Sequence, residues 1–358
     1  MNEPTMTLAA PRIDCREYGH LPDGRVVHEY TLDCGPLTLS AITLGGIVTR
    51  LMVPDRDGRR ANVVLGFSGL SDYVERNPHF GVIVGRYGNR IANARFTLDG
   101  QEHQLSRNDG DNCLHGGAHG FGTQLWRVEP ASDGSAALLL RYTAEDGEEG
   151  FPGRLQTTVR YTLGADASWR IDYEATTDRP TVVNLTHHDY FNLAGGGSAL
   201  GHRLQLAASR YTEVGPGLIP TSVAEVEGTP FDFRQPTLID SRIRQDHPQL
   251  ALGRGYDHNW LLDRRGGDAL QMAAQLEDPA SGRVMTVLTT EPAIQFYSGN
   301  FLDGTLLGSG GQRYRQGDGL CLETQHSPNS PNRPDWPSTV LRPGETYRSS
   351  TLHRFGVG

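Results

Sequence analysis

Residues 182–195, VVNLTHHDYFNLAG, crowd two histidines and an aspartate into adjacent positions of a stretch rich in strand-forming residues. Histidine titrates near neutrality and so moves protons or binds metals, and aspartate can join it in either task. Along an extended chain, successive side chains alternate between faces. His188 then shares a face with Thr186 and Tyr190, while His187 and Asp189 share the other. Neighbouring imidazoles that point apart make a poor pair of ligands for one metal. Two readings of His188 stand: a core histidine bonded to backbone, or a general acid or base acting alone. Tyr190 and Phe191 beside it offer an apolar wall to a sugar or aromatic ligand.

Glu323 lies in CLETQ, between Leu322 and Thr324. It is either a solvent-facing strand residue or a carboxylate held among apolar neighbours. In the second case desolvation raises its pKa toward that of a working base. Alternation puts it on the face of Cys321, away from Leu320 and Leu322. His115 and His119, in LHGGAHG, have a spacing that would suit zinc on a helix, but Gly116, Gly117 and Gly120 make a helix unfavourable there. His115 is better placed as a hydrogen-bonding group in a pocket wall, where glycines let backbone approach a ligand. Arg90, Asp257 and Gln295 are ordinary surface residues taken singly. Taken together they form the donor and acceptor set that grips vicinal hydroxyls. With no Walker loop and no GxGxxG in its structural context, nucleotide cofactors are not indicated.

The elements that must position these residues are strands. TLSAITLGGIVTRLMV, ANVVLGF, HFGVIVGRYG, AALLLRYTA, LQTTVRYTL, WRIDYEATT, HRLQLAA, RVMTVLTT and AIQFYSG are short, rich in Val, Ile, Thr, Leu and Tyr, and divided by turn residues. ARFTLDGQEHQL reads as a hairpin closed by Asp99–Gly100. Helical periodicity is confined to SGLSDYVERN and DSRIRQDHPQLALG. About twenty short strands without a linker or repeat predict one all-β domain spanning 1–358, a large antiparallel sandwich with few short helices.

Composition narrows the partners. The chain has 42 acidic and 33 basic side chains, a formal charge of −9, and lacks a Lys/Arg-rich block, which argues against nucleic acid and anionic membrane. No apolar run approaches the roughly eighteen residues of a membrane span, and MNEPTMTLAAPRIDC lacks the layout of a secretory signal. Cys15, Cys34, Cys113 and Cys321 are scattered with no CxxC, as expected of reduced thiols in a cytoplasmic protein.

Six stretches combine polar side chains with constrained backbone: GRYGNRIANARF (85–96), NCLHGGAHGFG (112–122), NLTHHDYFNLAG (184–195), YDHNWLLD (256–263), TTEPAIQFYSGNF (289–301) and GLCLETQHSPNSPNRPDWP (319–337). In this order they resemble the blocks of the aldose 1-epimerases, or galactose mutarotases, from about residue 37 to the C-terminus; residues 1–36 match weakly. The resemblance implies the twisted antiparallel supersandwich of the galactose mutarotase-like fold, with a sugar on a concave face. It also implies an isomerase that interconverts α and β anomers of free aldoses without a cofactor or metal. Carried over by position, Glu323 resembles the family's base and His188 its acid. Arg90, His115 and Asp257 resemble the residues that hold ring oxygen and hydroxyls. Asn89 and Gln295 match weaker contact positions, and Asp189 and Tyr190 accompany the acid. His187 stands where the family commonly has Asn. The partner implied is a small aldose, with the chain a monomer or homodimer.

Three other readings are weighed against this one. Action on hexose phosphates would need a basic cluster, for which Arg86, Arg90 and Arg95 are the nearby candidates. A catalytically silent sugar sensor should have lost Glu323 or the histidine, and both are present. A metal hydrolase would have to assemble His115, His119, His187, His188 and Asp189 around one ion.

Overall fold

The computed structural model describes residues 11–267 and 269–358. Strands dominate, with two short α-helices at Leu70–Glu75 and Pro248–Gly253 among the described residues. Both fall within the two stretches with helical periodicity. Neither helix is long and apolar enough to cross a membrane.

Three antiparallel sheets carry the architecture. A five-stranded meander runs in chain order through Arg12–His20, Val26–Cys34, Leu37–Ile42, Val48–Pro54 and Arg60–Asn62. A nine-stranded sheet has Ala136–Ala144, Leu155–Gly164, Ser168–Thr177 and Tyr347–Val357 as consecutive neighbours, followed by Arg283–Thr289 and Gln271–Glu277. The second five-stranded sheet orders Pro220–Glu225, Arg210–Val214, Asp257–Leu261, Ala293–Tyr297 and Cys321–Gln325. Their inner faces share one core, in which Leu39 and Leu51 of the first sheet join Leu140, Val159 and Trp169 of the second, and Trp260 and Phe296 of the third. Alternation is visible directly: Leu155–Gly164 reads buried at every second residue, as a strand with one face on a core must.

The hairpin at Asp99–Gly100 is present, with Leu98 opposite Gln101. Both turn residues have positive φ, 51° and 81°, which is the demand of the tight turn that Asp-Gly meets. Two expectations are corrected and one strand is added. Residues 79–88 and 184–192 are not long strands; they contribute the two-residue pairing of Ile83–Val84 with Thr186–His187 and isolated bridges at Tyr87–Asn184, Val64–Phe191 and Phe191–Leu320. The single stretch at 38–53 is two strands, Leu37–Ile42 and Val48–Pro54, broken at Gly45 and Gly46, both left-handed. Arg12–His20, which offers no alternation because none of it is buried, forms a strand by pairing with Val26–Cys34.

Candidate active site

The second five-stranded sheet brings three of the singled-out residues together through register. Gln295 stands directly opposite Glu323, and Asn259 directly opposite Gln295. Asp257, two residues from Asn259 and hence on the same face, lies diagonal to Gln295. The Gln295 Nε2 donates to Asp257 Oδ1 at 2.7 Å. Glu323, Gln295 and Asp257 are all buried. The Oε2 of Glu323 and the Oε1 of Gln295 are buried without a hydrogen-bond partner, an arrangement that costs stability unless a ligand supplies the donors.

The histidine segment is stitched onto this sheet by backbone. Phe191 and Leu320 exchange bonds of 2.7 and 3.0 Å, while His188 N donates to Val82 O and Gly81 N to His188 O, each at 3.0 Å. His188 is thereby carried over the Glu323 strand, with Nε2 3.6 Å from Glu323 Oε1. Its Nδ1 lies 3.5 Å from Cys321 Sγ, and its ring stacks on Tyr190 at 5.2 Å. The Tyr190 hydroxyl is tied to Pro78 O. Strand alternation holds although the segment is irregular, since His187 faces the opposite way. There His187 Nδ1 meets Asp189 Oδ2 at 2.6 Å and its Nε2 meets the Tyr161 hydroxyl at 2.7 Å. Trp169 packs against the same ring.

Two loops close the site. Leu114 pairs with Arg90, so the chain reverses at His115, which takes a left-handed φ of 53°, followed by Gly116 at 86° and Gly117 at 101°. A Cβ on Gly116 would sit 2.1 Å from Gly85 O, so only glycine fits. The Asn89 N–H donates to His115 Nδ1 at 3.3 Å; this assigns the other ring proton to Nε2, which faces the site as a donor. Arg90 Nε is held by Asp109 Oδ2 at 2.7 Å.

The electrostatics follow from burial. The Glu323 carboxyl is pushed well above the usual carboxylate range by desolvation and then by the charge of Asp257, with Arg90 opposing. His188 is pushed well below the usual histidine value by desolvation, then by His79. His115 is lowered in the same way by burial, His79 and His188. Asp257 is raised by burial, against the pull of Arg90 and Gln295. Burial likewise holds Cys321 as a thiol beside His188 Nδ1.

Asn89, Arg90, His115, His188, Tyr190, Asp257, Gln295 and Glu323 thus surround one region, and Asp189 does not reach it. Asp189 is spent on His187 behind the strand, because two residues of extended chain return a side chain to the same face. The five-residue metal set is dispersed, with His119 exposed and His187 turned away. A different trio, His115, His188 and Glu323, brings ligand atoms within 4.8 Å of one another, the donor number of an open three-ligand site. The phosphate candidates also separate. Arg86 is buried on the carbonyls of Pro152 and Gly153 and pushed down to about 10 by desolvation, while exposed Arg95 pairs with Glu102. Sequence reasoning missed His79, whose ring lies 4.7 Å from His115 and 5.6 Å from His188. Burial lowers it to about 4. It sits on a loop at φ 72°, where no periodicity could reveal its direction. Asp109 was missed for the same reason.

The aldose 1-epimerase family profile matches residues 28–354. Galactose mutarotase of Sus scrofa is 43% identical over 344 residues, covering 95% of this chain and 97% of that protein. Aldose 1-epimerase of Escherichia coli K12 is 39% identical over 339 residues, covering 93% and 96%. Among solved structures, galactose 1-epimerase from Lactobacillus acidophilus NCFM superposes with a TM-score of 0.85 at 28% identity, covering 97% of this chain and 99% of that one. A profile that spans most of the chain, and relatives at 43% and 39% identity over nearly all of it, place the sheet and histidine segment described above in one lineage: the chain belongs to the aldose 1-epimerase family.

Proposed function

We propose that the protein interconverts the α and β anomers of free aldohexoses such as D-galactose and D-glucose, with Glu323 and His188 as the proton-transferring pair. The observation that carries the assignment is the 3.6 Å approach of His188 Nε2 to Glu323 Oε1 in a buried setting that shifts the two groups in opposite directions.

The Glu323 carboxylate takes the proton of the C1 hydroxyl. The electron pair left on O1 forms the C1 carbonyl, the C1–O5 bond breaks, and O5 takes a proton from the His188 imidazolium. After rotation about C1–C2, the O5 hydroxyl adds to the other face of the aldehyde. His188 recovers its proton from O5, and Glu323 returns its own to O1. The pair therefore alternates between carboxylate with imidazolium and carboxylic acid with imidazole. The ordinary values of 4.5 and 6.5 favour the first form in water by a hundredfold, about 2.7 kcal/mol. Burial penalises both charges, raising Glu323 and lowering His188, and so shifts the balance toward the neutral form, which lets each group serve as both acid and base.

Arg90, held by Asp109, and the His115 Nε2 donor suit ring oxygen and hydroxyls; Asp257, oriented by Gln295, suits a hydroxyl pair. Asn89 acts through the His115 tautomer and Asp189 through His187. Because mutarotation proceeds in water unaided, two positioned groups suffice, and no cofactor or metal is required by the chemistry. The test is polarimetry of freshly dissolved α-D-galactose with and without EDTA. Rapid approach to the same final rotation, unaffected by chelation, is expected. No acceleration over buffer would refute the reading, and loss of activity with EDTA would turn His115, His188 and Glu323 into metal ligands.

A further inference from the structure

Next to the reactive pair lies a second buried layer of polar side chains that the proton transfer does not use. Phe191 and Leu320 are bridged antiparallel, and carrying that register on sets His188 opposite Glu323 and Thr186 opposite Gln325. Two contacts bear out the second pairing. A Cβ on Gly88 would lie 3.1 Å from Thr186 Cγ2 and 3.3 Å from Gln325 Oε1. Just beyond, Asn184 and His326 exchange bonds of 3.0 and 3.2 Å. Two residues on from Glu323, Gln325 shares its face. It is roofed by Gly88 and 0% exposed, with Thr186 at 1%. Across the sheet its neighbour is Ala293, whose short side chain leaves room beside the amide. Neither end of the Gln325 amide has a hydrogen-bond partner among the described residues, nor has Thr186 Oγ1, Glu323 Oε2, Gln295 Oε1 or Asn259 Oδ1. Buried polar groups in this state destabilise a fold unless something bonds them, and ordered water is the usual remedy.

We infer that this layer binds an ordered water molecule that accepts from Gln325 Nε2 and donates to Glu323 Oε2 and Thr186 Oγ1, making Gln325 a positioning residue for the base. The role of that water rests on the mutarotase reading; its site does not. Acceptors outnumber donors in the layer, with oxygens of Glu323, Gln295, Asn259 and Gln325 set against one amide NH₂ and one hydroxyl. The ligand must therefore donate, and it must also accept from Nε2. Water does both, whereas a cation cannot accept and an anion cannot donate. A sugar hydroxyl has the same chemistry, but the full burial of Gln325 under Gly88 keeps it from the sugar. The span also fits. Residues two apart on a strand stand about 6.5–7 Å apart, and one water bridges heavy atoms about 5.5–6 Å apart. With Oε2 held by water, the Oε1 that lies 3.6 Å from His188 Nε2 is left to take the O1 proton. A donor on the carboxylate also favours its charged form against the pull of burial.

The test has a structural and a kinetic arm, both on the whole protein. A high-resolution crystal structure of the sugar-free parent should show a water within about 3.2 Å of Gln325 Nε2 and of Glu323 Oε2. A direct bond between Gln325 and Glu323, or a cation on these oxygens, overturns the inference. In the kinetic arm, Gln325→Met keeps the shape of the side chain without its amide, and Thr186→Val removes the hydroxyl. With D-galactose, both should move the Glu323 limb of the kcat/KM profile up in pH. For Gln325→Met the shift should be about one unit, a tenfold loss below the limb, with KM unchanged above it. Asp257, Arg90, His188, His115, Cys321 and Tyr190, the charged and titratable groups around Glu323, are the same in both variants, so the shift reads the lost donor. A limb that stays in place in either variant overturns the inference, as does a raised KM with the limb unmoved, which would make Gln325 a sugar contact. Should Gln325→Met not fold, Thr186→Val and the crystal structure decide. If the parent does not turn over galactose, the mutarotase reading fails instead, and the water site stands or falls on the crystal structure.

Discussion

Glu323→Gln separates the chemistry from the folding cost of the same side chain. The carboxylate is buried, has one oxygen without a partner, and lies near a second acid, Asp257, whose charge pushes its pKa further up. Glutamine keeps the shape and can still accept from the sugar, but it cannot take up the O1 proton. Loss of one positioned acid–base group is worth about 10²–10⁴ in rate, or about 2.7–5.4 kcal/mol of activation free energy. KM should change little, because hydrogen bonding to the hydroxyl survives. Stability should move the other way. A folded-state pKa above the unfolded value means that the folded protein is penalised for holding the carboxylate once the pH exceeds the unfolded value near 4.5. The neutral amide removes that penalty, so Tm at pH 7 should rise. Polarimetric progress curves give kcat and KM, and scanning calorimetry gives Tm. A variant with kcat within about threefold of the parent, below the range expected of an acid–base group, would refute the assignment of the base. A lowered Tm would show that the carboxylate is paid for by folded-state bonds not accounted for above.

Three further outcomes are expected. His188→Asn should lose about 10²–10⁴ in kcat. His187→Asn should keep kcat within about tenfold but lose about 1–3 kcal/mol of stability in denaturant titrations, because the Asp189 carboxylate is left buried without its partner; equal losses of kcat in the two variants would reassign the acid. The pH profile of kcat/KM should have its His188 limb below 6.5 and its Glu323 limb above 4.5, since burial lowers the one and raises the other; a profile with limbs at the ordinary values of 4.5 and 6.5 would contradict it. Buried Glu291 and partly buried His326 form a pair at 2.7 Å. For His326, burial works against the charge but is outweighed by Glu291, so its pKa is raised. For Glu291, burial is outweighed by His326, so its pKa is lowered. The histidine's contribution to stability is full below its unfolded value of 6.5 and is lost as pH rises through the higher folded value. The glutamate's is full above 4.5 and is lost as pH falls through the lower folded value. Tm should therefore fall above pH 6.5 in the parent and flatten there in His326→Gln.

Much of the site was legible along the chain because side-chain direction in extended backbone is a local property. A period of two separates His188 from His187 and Asp189, and puts Glu323 with Cys321 and away from Leu322, with no knowledge of what lies opposite. The geometry at His187 and Asp189 and at Cys321 follows that rule. The same rule, applied to Asp189, shows why it stays out of the cleft although it adjoins the acid in sequence. Turn chemistry was equally local, as at Asp99–Gly100 and the two short helices. Which faces meet is not local. The pairing of Gln295 with Glu323, the Phe191–Leu320 bridge that delivers His188, and the arrival of His79 from a left-handed loop all join segments distant in sequence. They are selected by burying Leu, Val and aromatic faces of three sheets at once, a global optimum that no window of sequence contains. The pKa shifts that make the pair work are set at that same level, because desolvation depends on everything packed around a group and not on its neighbours in the chain.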